Sequence, residues 1–150
     1  MGFSMEIVAA RADELADAVP DVFAETDTTL GFEDATSVSR GSELCVTKSG
    51  DWVIVIDVWH RLSGFTPYLV EASASTDLYL VRIGGDPAVF HYRDGCLQMA
   101  AEGSHACMEL AAVDYDDGEV LGQELLLKYT GVSFADDDLW SAEFTVFALD

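Results

Sequence analysis

Asp51-Trp-Val-Ile-Val-Ile-Asp-Val-Trp59 is the stretch that decides the fold class of this chain. Seven of its nine residues are β-branched or aromatic, and none is Ala, Glu, Lys or Leu. Trp52, Ile54, Ile56 and Val58 alternate with Val53, Val55 and Trp59, so both faces are apolar. A strand with two oily faces belongs in the middle of a sheet that is covered on both sides.

The neighbouring segments extend this sheet. Glu43–Lys48 has period two and is followed by the tight-turn residues Ser49-Gly50-Asp51, so it forms a hairpin with the central strand. Downstream, Asp77–Ile83, Ala88–Tyr92 and Cys96–Ala100 are separated by Gly84-Gly85-Asp86-Pro87 and Arg93-Asp94-Gly95. Short strands divided by strong turn signals predict an antiparallel meander. Tyr68–Ala72 adds a short strand or a turn of helix, Ala106–Val113 a further strand, and Ser141–Leu149 a closing strand.

Helices are expected at both ends. Ile7, Val8, Arg11, Leu15, Ala18, Val19 and Val22 recur at near-helical spacing and predict a helix over 5–24, broken near Pro20. Residues 26–42 have few apolar anchors and are expected to be a loop with one short edge strand. Val120–Thr130 predicts a second helix, with Gly131 as its stop. The expected fold is therefore one α+β domain over residues 1–150. It has a mostly antiparallel sheet of about six or seven strands, with an N-terminal and a C-terminal helix packed on it.

Composition narrows the class of function. Half of the 150 residues are hydrophobic, enough for a folded core, and no apolar run approaches the ~18 residues of a membrane span. The beginning of the sequence has neither a basic region nor an apolar one of signal type, and position 6 is Glu6, where a myristoylation motif wants Ser or Thr. Cys45, Cys96 and Cys107 are odd in number and unclustered, as expected of reduced thiols in a cytoplasmic protein.

Asp and Glu total 28 against 7 Lys and Arg, a net charge of −21. Such a surface repels nucleic acid and anionic membranes, and leaves a basic partner, metal cations or a high-salt habitat as the reasons for it. The charge is also segregated. Residues 1–43 carry ten acidic and two basic residues, residues 114–150 ten and one, and the stretch between them eight and four.

Motifs for chemistry are missing. No phosphate-binding glycine loop, nucleophile elbow or His-Glu-x-x-His occurs. Asp114-Tyr-Asp-Asp-Gly-Glu119 resembles a calcium loop, but Gly118 falls at position 5 and Leu125 at position 12, so the spacing fails. His60, His91, His105 and the three cysteines lack the paired spacing of a zinc site, and nothing flanking them favours a thiolate. No catalytic residue, cofactor or metal is therefore expected. Asp136-Asp-Asp138 can cap a short helical turn or form a charged patch beside Trp140. The connection Trp59–Tyr68, with Trp59, His60, Arg61, Phe65 and Tyr68, is longer than a hairpin needs and could be a working surface or a cover for the core.

Two stretches resemble a known group. Trp52 with its apolar strand, and Leu126-Leu-Lys-Tyr-Thr-Gly-Val-Ser-Phe-Ala-Asp-Asp-Asp-Leu139 after a helix, are similar to small bacterial immunity-type proteins of unknown function associated with polymorphic toxins. The resemblance implies an intracellular immunity protein. Together with the charge it leads to the expectation of a non-enzymatic antitoxin that blocks a basic toxin enzyme. The expected contacts are Asp114, Tyr115, Asp116, Asp117, Glu119, Asp136, Asp137, Asp138 and Trp140. The alternatives are a DNA-mimic regulator of a DNA-binding protein, a salt-adapted acidic domain of other function, and an enzyme of unrecognised type with a pocket lined by His91, His105 and Cys107.

Overall fold

The computed structural model describes residues 4–114 and 117–149. The quoted stretch becomes β4 (Trp52–Asp57), every residue of which is buried. Before it come β1 (Met5–Arg11), β2 (Phe23–Leu30) and β3 (Glu43–Ser49). After it come β5 (Asp77–Ile83), β6 (Ala88–Arg93), β7 (Cys96–Glu102) and β8 (Phe144–Leu149). All eight join one antiparallel sheet in the order β2-β8-β3-β4-β1-β5-β6-β7. The expected hairpin forms, with Gly50 at φ 58° in its turn, and so does the meander. The strand count exceeds the expected six or seven because the N-terminal segment contributes strands.

That segment corrects the sequence reading. Residues 5–24 do not form a helix; they give β1, a 3-10 turn at Leu15–Ala18 and the start of β2. β1 lies between β4 and β5, where Ile7 is opposite Ile56 and Val81, and Val8 opposite Val55 and Leu80. Met5 through Ala10 are all buried. Burial on both faces removes the period-two signal, and the alanines then mimic a helix. The opposite substitution occurs at Ala106–Val113, expected as a strand. It lies in helix α3 (Ser104–Ala111), which starts after Gly103 at φ 91° and agrees with the helix propensity of its Ala, Met, Glu and Leu.

Three other helices complete the chain. They are α1 (Phe32–Ala35), α2 (Thr66–Ala72) and α4 (Gly118–Thr130), the last ending at Gly131 with φ 76° as expected from sequence. α3, α4, α1 and the 3-10 turn Leu139–Ser141 cover the sheet face of Ile7, Ile54, Ile56 and Val81. α2 and the 3-10 turns at Leu15–Ala18 and Leu62–Gly64 cover the face of Val8, Val53, Val55 and Leu80. Gly122 sets how close α4 comes to β5, since a Cβ there would stand 2.9 Å from the Ile83 Cα.

At one end of the sheet the register aligns Asp57, Glu6 and Arg82 across β4, β1 and β5. Both carboxylates are fully buried. Glu6 accepts from Arg82 Nε and Nη2, each at 3.2 Å, and from the Ser63 N–H at 2.9 Å. Asp57 accepts the backbone N–H groups of Trp59, Arg61 and Leu62 and the Arg61 guanidinium. These bonds offset the desolvation of the charges and fasten residues 58–64 over the sheet end.

Removing one partner strands a buried charge. Arg82→Leu is expected to lower unfolding free energy by about 3–5 kcal/mol, and Glu6→Leu with Arg82→Leu to recover a large part of that loss. Urea denaturation of both variants measures the difference.

Candidate functional site

The acidic C-terminal third folds around α4. Asp117 is the N-cap, and its Oδ1 accepts the N–H groups of Glu119 at 3.0 Å and Val120 at 3.2 Å, which satisfies two free donors of the first turn. Leu121, Leu125 and Leu126 face the sheet, leaving Val120, Glu124 and Leu127 exposed on the outer surface. That outer surface forms one wall of a cleft of about 390 Å³, lined by Val120, Gln123, Glu124 and Leu127 with Ser133, Phe134 and Ala135.

The other wall is a closed loop. The Asp138 and Trp140 N–H groups both donate to the Ala135 carbonyl, and the Ser141 hydroxyl donates to the Asp136 carbonyl. Asp138 does not cap the following turn with its side chain. Its carboxylate instead accepts the Ser133 N–H at 2.8 Å and the Ser49 hydroxyl at 2.5 Å, tying the loop to the β3–β4 hairpin. Asp136 and Asp137 are exposed.

The cleft is lined by sequence neighbours of the two expected acidic stretches, not by the expected contacts themselves. Val120 follows Glu119 directly, Ala135 precedes Asp136 directly, and both line the same space. Trp140 is 42% exposed, and its ring lies 5.5 Å from that of Phe32, which in turn lies 4.9 Å from Phe134. α1 thereby delivers the exposed Glu33 and Asp34 to the same neighbourhood. Of the expected contacts, Asp114, Asp117, Asp136 and Asp137 are exposed, Glu119 is half-buried, and Asp138 is taken up by the loop. Tyr115 and Asp116 lie outside the described residues. Sequence reasoning missed Glu33, Asp34, Val120, Leu127 and Phe134; only the helical phase of α4 could have pointed to Val120 and Leu127.

The connection Trp59–Tyr68 divides between its two expected roles. Tyr68 is buried and its hydroxyl donates to the Ala18 carbonyl, so it seals the core; burial also pushes its ionisation upward. Trp59 remains 54% exposed, lying against Gly41 and beneath the Arg61 guanidinium.

The histidines and cysteines are scattered. His60 bonds the Ser4 hydroxyl, His105 pairs with Glu109, and His91 stacks on Tyr79 and bonds Asp77 at 2.9 Å. The His91 bond, with help from Arg93, holds the Asp77 carboxyl below its ordinary value against the opposing effect of partial burial. Burial, with Glu43 adding to it, raises the Cys45 thiol to about 11, and burial raises Cys107 too. Among the described residues, no three His, Cys, Asp or Glu side chains come together as a metal site. None of the described helices is long and apolar enough to cross a membrane.

No protein-family model, curated protein or solved structure matches this chain.

Two outcomes are expected. Asp138→Ala should cost about 1–3 kcal/mol in thermal or urea unfolding, whereas Asp136→Asn and Asp137→Asn should each stay within about 0.5 kcal/mol. A disulfide reagent of the Ellman type should titrate only Cys96 in the native protein, because Cys45 and Cys107 are buried, and all three thiols after denaturation.

Proposed function

We propose that this chain is an acidic binding protein that neutralises a basic enzyme, most concretely an intracellular immunity protein for a bacterial toxin. The observation that carries the reading is a largely apolar cleft on the outer side of α4, lined by Glu124 and flanked in sequence by the acidic stretches. Glu119 precedes the lining residue Val120 and Asp136 follows the lining residue Ala135 in sequence, while Glu33 and Asp34 are exposed on α1, whose Phe32 ring contacts Phe134 and Trp140.

The physical logic runs in two stages. Long-range attraction from a net −21 steers a cationic partner and raises its association rate, an effect that salt screens. Short-range contact then depends on apolar anchors, and Trp140, Leu127 and Val120 are available at 42%, 48% and 37% exposure. A toxin that acts on nucleic acid or nucleotides has a basic cleft, and carboxylates placed there occupy the positions of phosphates. The protein supplies no catalysis in this scheme; it acts by occlusion.

The test uses the product of the reading frame adjacent to this chain's own. The purified pair should associate with a rate that falls steeply between 50 mM and 500 mM NaCl. Asp136→Asn with Asp137→Asn and Glu33→Gln should slow association about tenfold or more with little change in dissociation, while Trp140→Ala should speed dissociation. An unchanged association rate and salt slope in the charge variant would overturn the steering mechanism.

A further inference from the structure

The sheet face opposite α4 carries a second groove, between the 3-10 turn Leu15–Ala18 and α2. Its walls are held together from within. The Tyr68 hydroxyl donates to the Ala18 carbonyl, and the Phe23 N–H donates to the Pro20 carbonyl at 3.0 Å, closing a turn through Asp21 and Val22. Val19, Pro20 and Tyr68 contribute buried apolar surface, while Val22 at 50% and Phe65 at 37% are exposed. Asp17, Asp21 and Glu71 line the same space directly. All three are exposed, and none of them forms an ion pair among the described residues.

Size and charge define the occupant. The groove holds about 250 Å³, below the ~300–1,000 Å³ of sites that enclose a small-molecule ligand. It takes one long side chain and leaves Val22 and Phe65 to meet whatever carries that side chain. No basic residue lines it. The hollow beyond shares Asp17, Glu71 and Ala72 with it, but has Arg11 and Lys48 among its carboxylates and only alanines for apolar walls. Uncompensated negative charge and exposed apolar surface coincide in the groove and separate in the hollow.

We propose that this groove is a docking site for a lysine- or arginine-bearing segment of a partner protein. The cation of that segment is met by Asp17, Asp21 and Glu71, while its aliphatic stem and an apolar neighbour cover Val22 and Phe65. Long basic side chains have this dual character: a methylene stem packs on apolar surface and a charged head pairs. Exposed ion pairs contribute little by themselves, so a cation without an apolar neighbour gains little here. Covering the apolar rim excludes water from the contact and makes it selective. The groove lies across the sheet from the α4 cleft, so the inference does not rest on the immunity reading, and the two faces are free to be occupied together.

Amide chemical-shift mapping by NMR on the isotope-labelled full chain tests this with three synthetic peptides of equal length. One combines Arg with Leu, the second has the same Arg with Ser in place of Leu, and the third has Leu with Glu in place of Arg. At about 150 mM NaCl the Arg–Leu peptide should shift residues 16–22 and 65–72 and bind at least tenfold more tightly than the Arg–Ser peptide, with no binding by the Glu–Leu peptide. Asp17→Asn with Asp21→Asn and Glu71→Gln should weaken binding at least tenfold without changing the melting temperature, since all three side chains are exposed. Val22→Ser should weaken it as well, and Asp136→Asn with Asp137→Asn should not. Shifts spread over the whole acidic surface or centred on the α4 cleft, equal binding of the Arg–Ser peptide, or native affinity in the triple variant would overturn the proposal.

Discussion

Two-sided burial of β1 and β4 is the constraint on which the structure depends. Their apolar residues face both ways, so neither strand can lie at an edge or leave a face to water. Everything else covers them. β3 and β5 flank them in the sheet, α3 and α4 lie over one face, and α2 with two 3-10 turns lies over the other. The acidic residues are consequently displaced to the turns, the outer helix surfaces, β2 and the ends of other strands, as at Glu43, Asp77 and Glu102. The segregation of charge is thus a result of how the core is covered, and any binding face must be made from the same peripheral segments.

The buried carboxylates Glu6 and Asp57 are the exception. Placing two fully buried acids side by side is costly unless donors surround them; here Arg82 and the Ser63 N–H serve Glu6, and Arg61 with three backbone N–H groups serves Asp57. Their effect is positional. They clamp the 58–64 connection, which holds Tyr68 against Ala18 and leaves Trp59 outside. In so acidic a chain these two residues were indistinguishable by type from their solvated neighbours, and only register singled them out.

What was legible in the sequence was local. The β3–β4 hairpin and the meander announced themselves through Gly50, Gly84-Gly85 and Asp94-Gly95, whose positive φ angles the turns require. Asp117 and Gly131 bracket α4 by cap chemistry that needs no tertiary context. The errors occurred where tertiary context decided. Met5–Ala10 gave no alternation because both its faces are buried, and Ala9 and Ala10 favoured the wrong period. In the candidate site, Asp136 and Asp137 were visible as a charged patch. The structural work of Asp138 and the arrival of Glu33 and Asp34 were not, because both depend on contacts between residues far apart in sequence.

The position of β8 has a consequence for how the molecule is made. Among the described residues, β2's neighbour in the sheet is β8 alone, and β8 is inserted between β2 and β3. A nascent chain leaving the ribosome can assemble β1, β3, β4 and the meander, but β2 has no strand to join until residue 149 has emerged. Closing that distant pairing is slow, as non-local contacts are. Until then, the acidic side chains of the waiting N-terminal segment keep it hydrated and apart from other nascent chains.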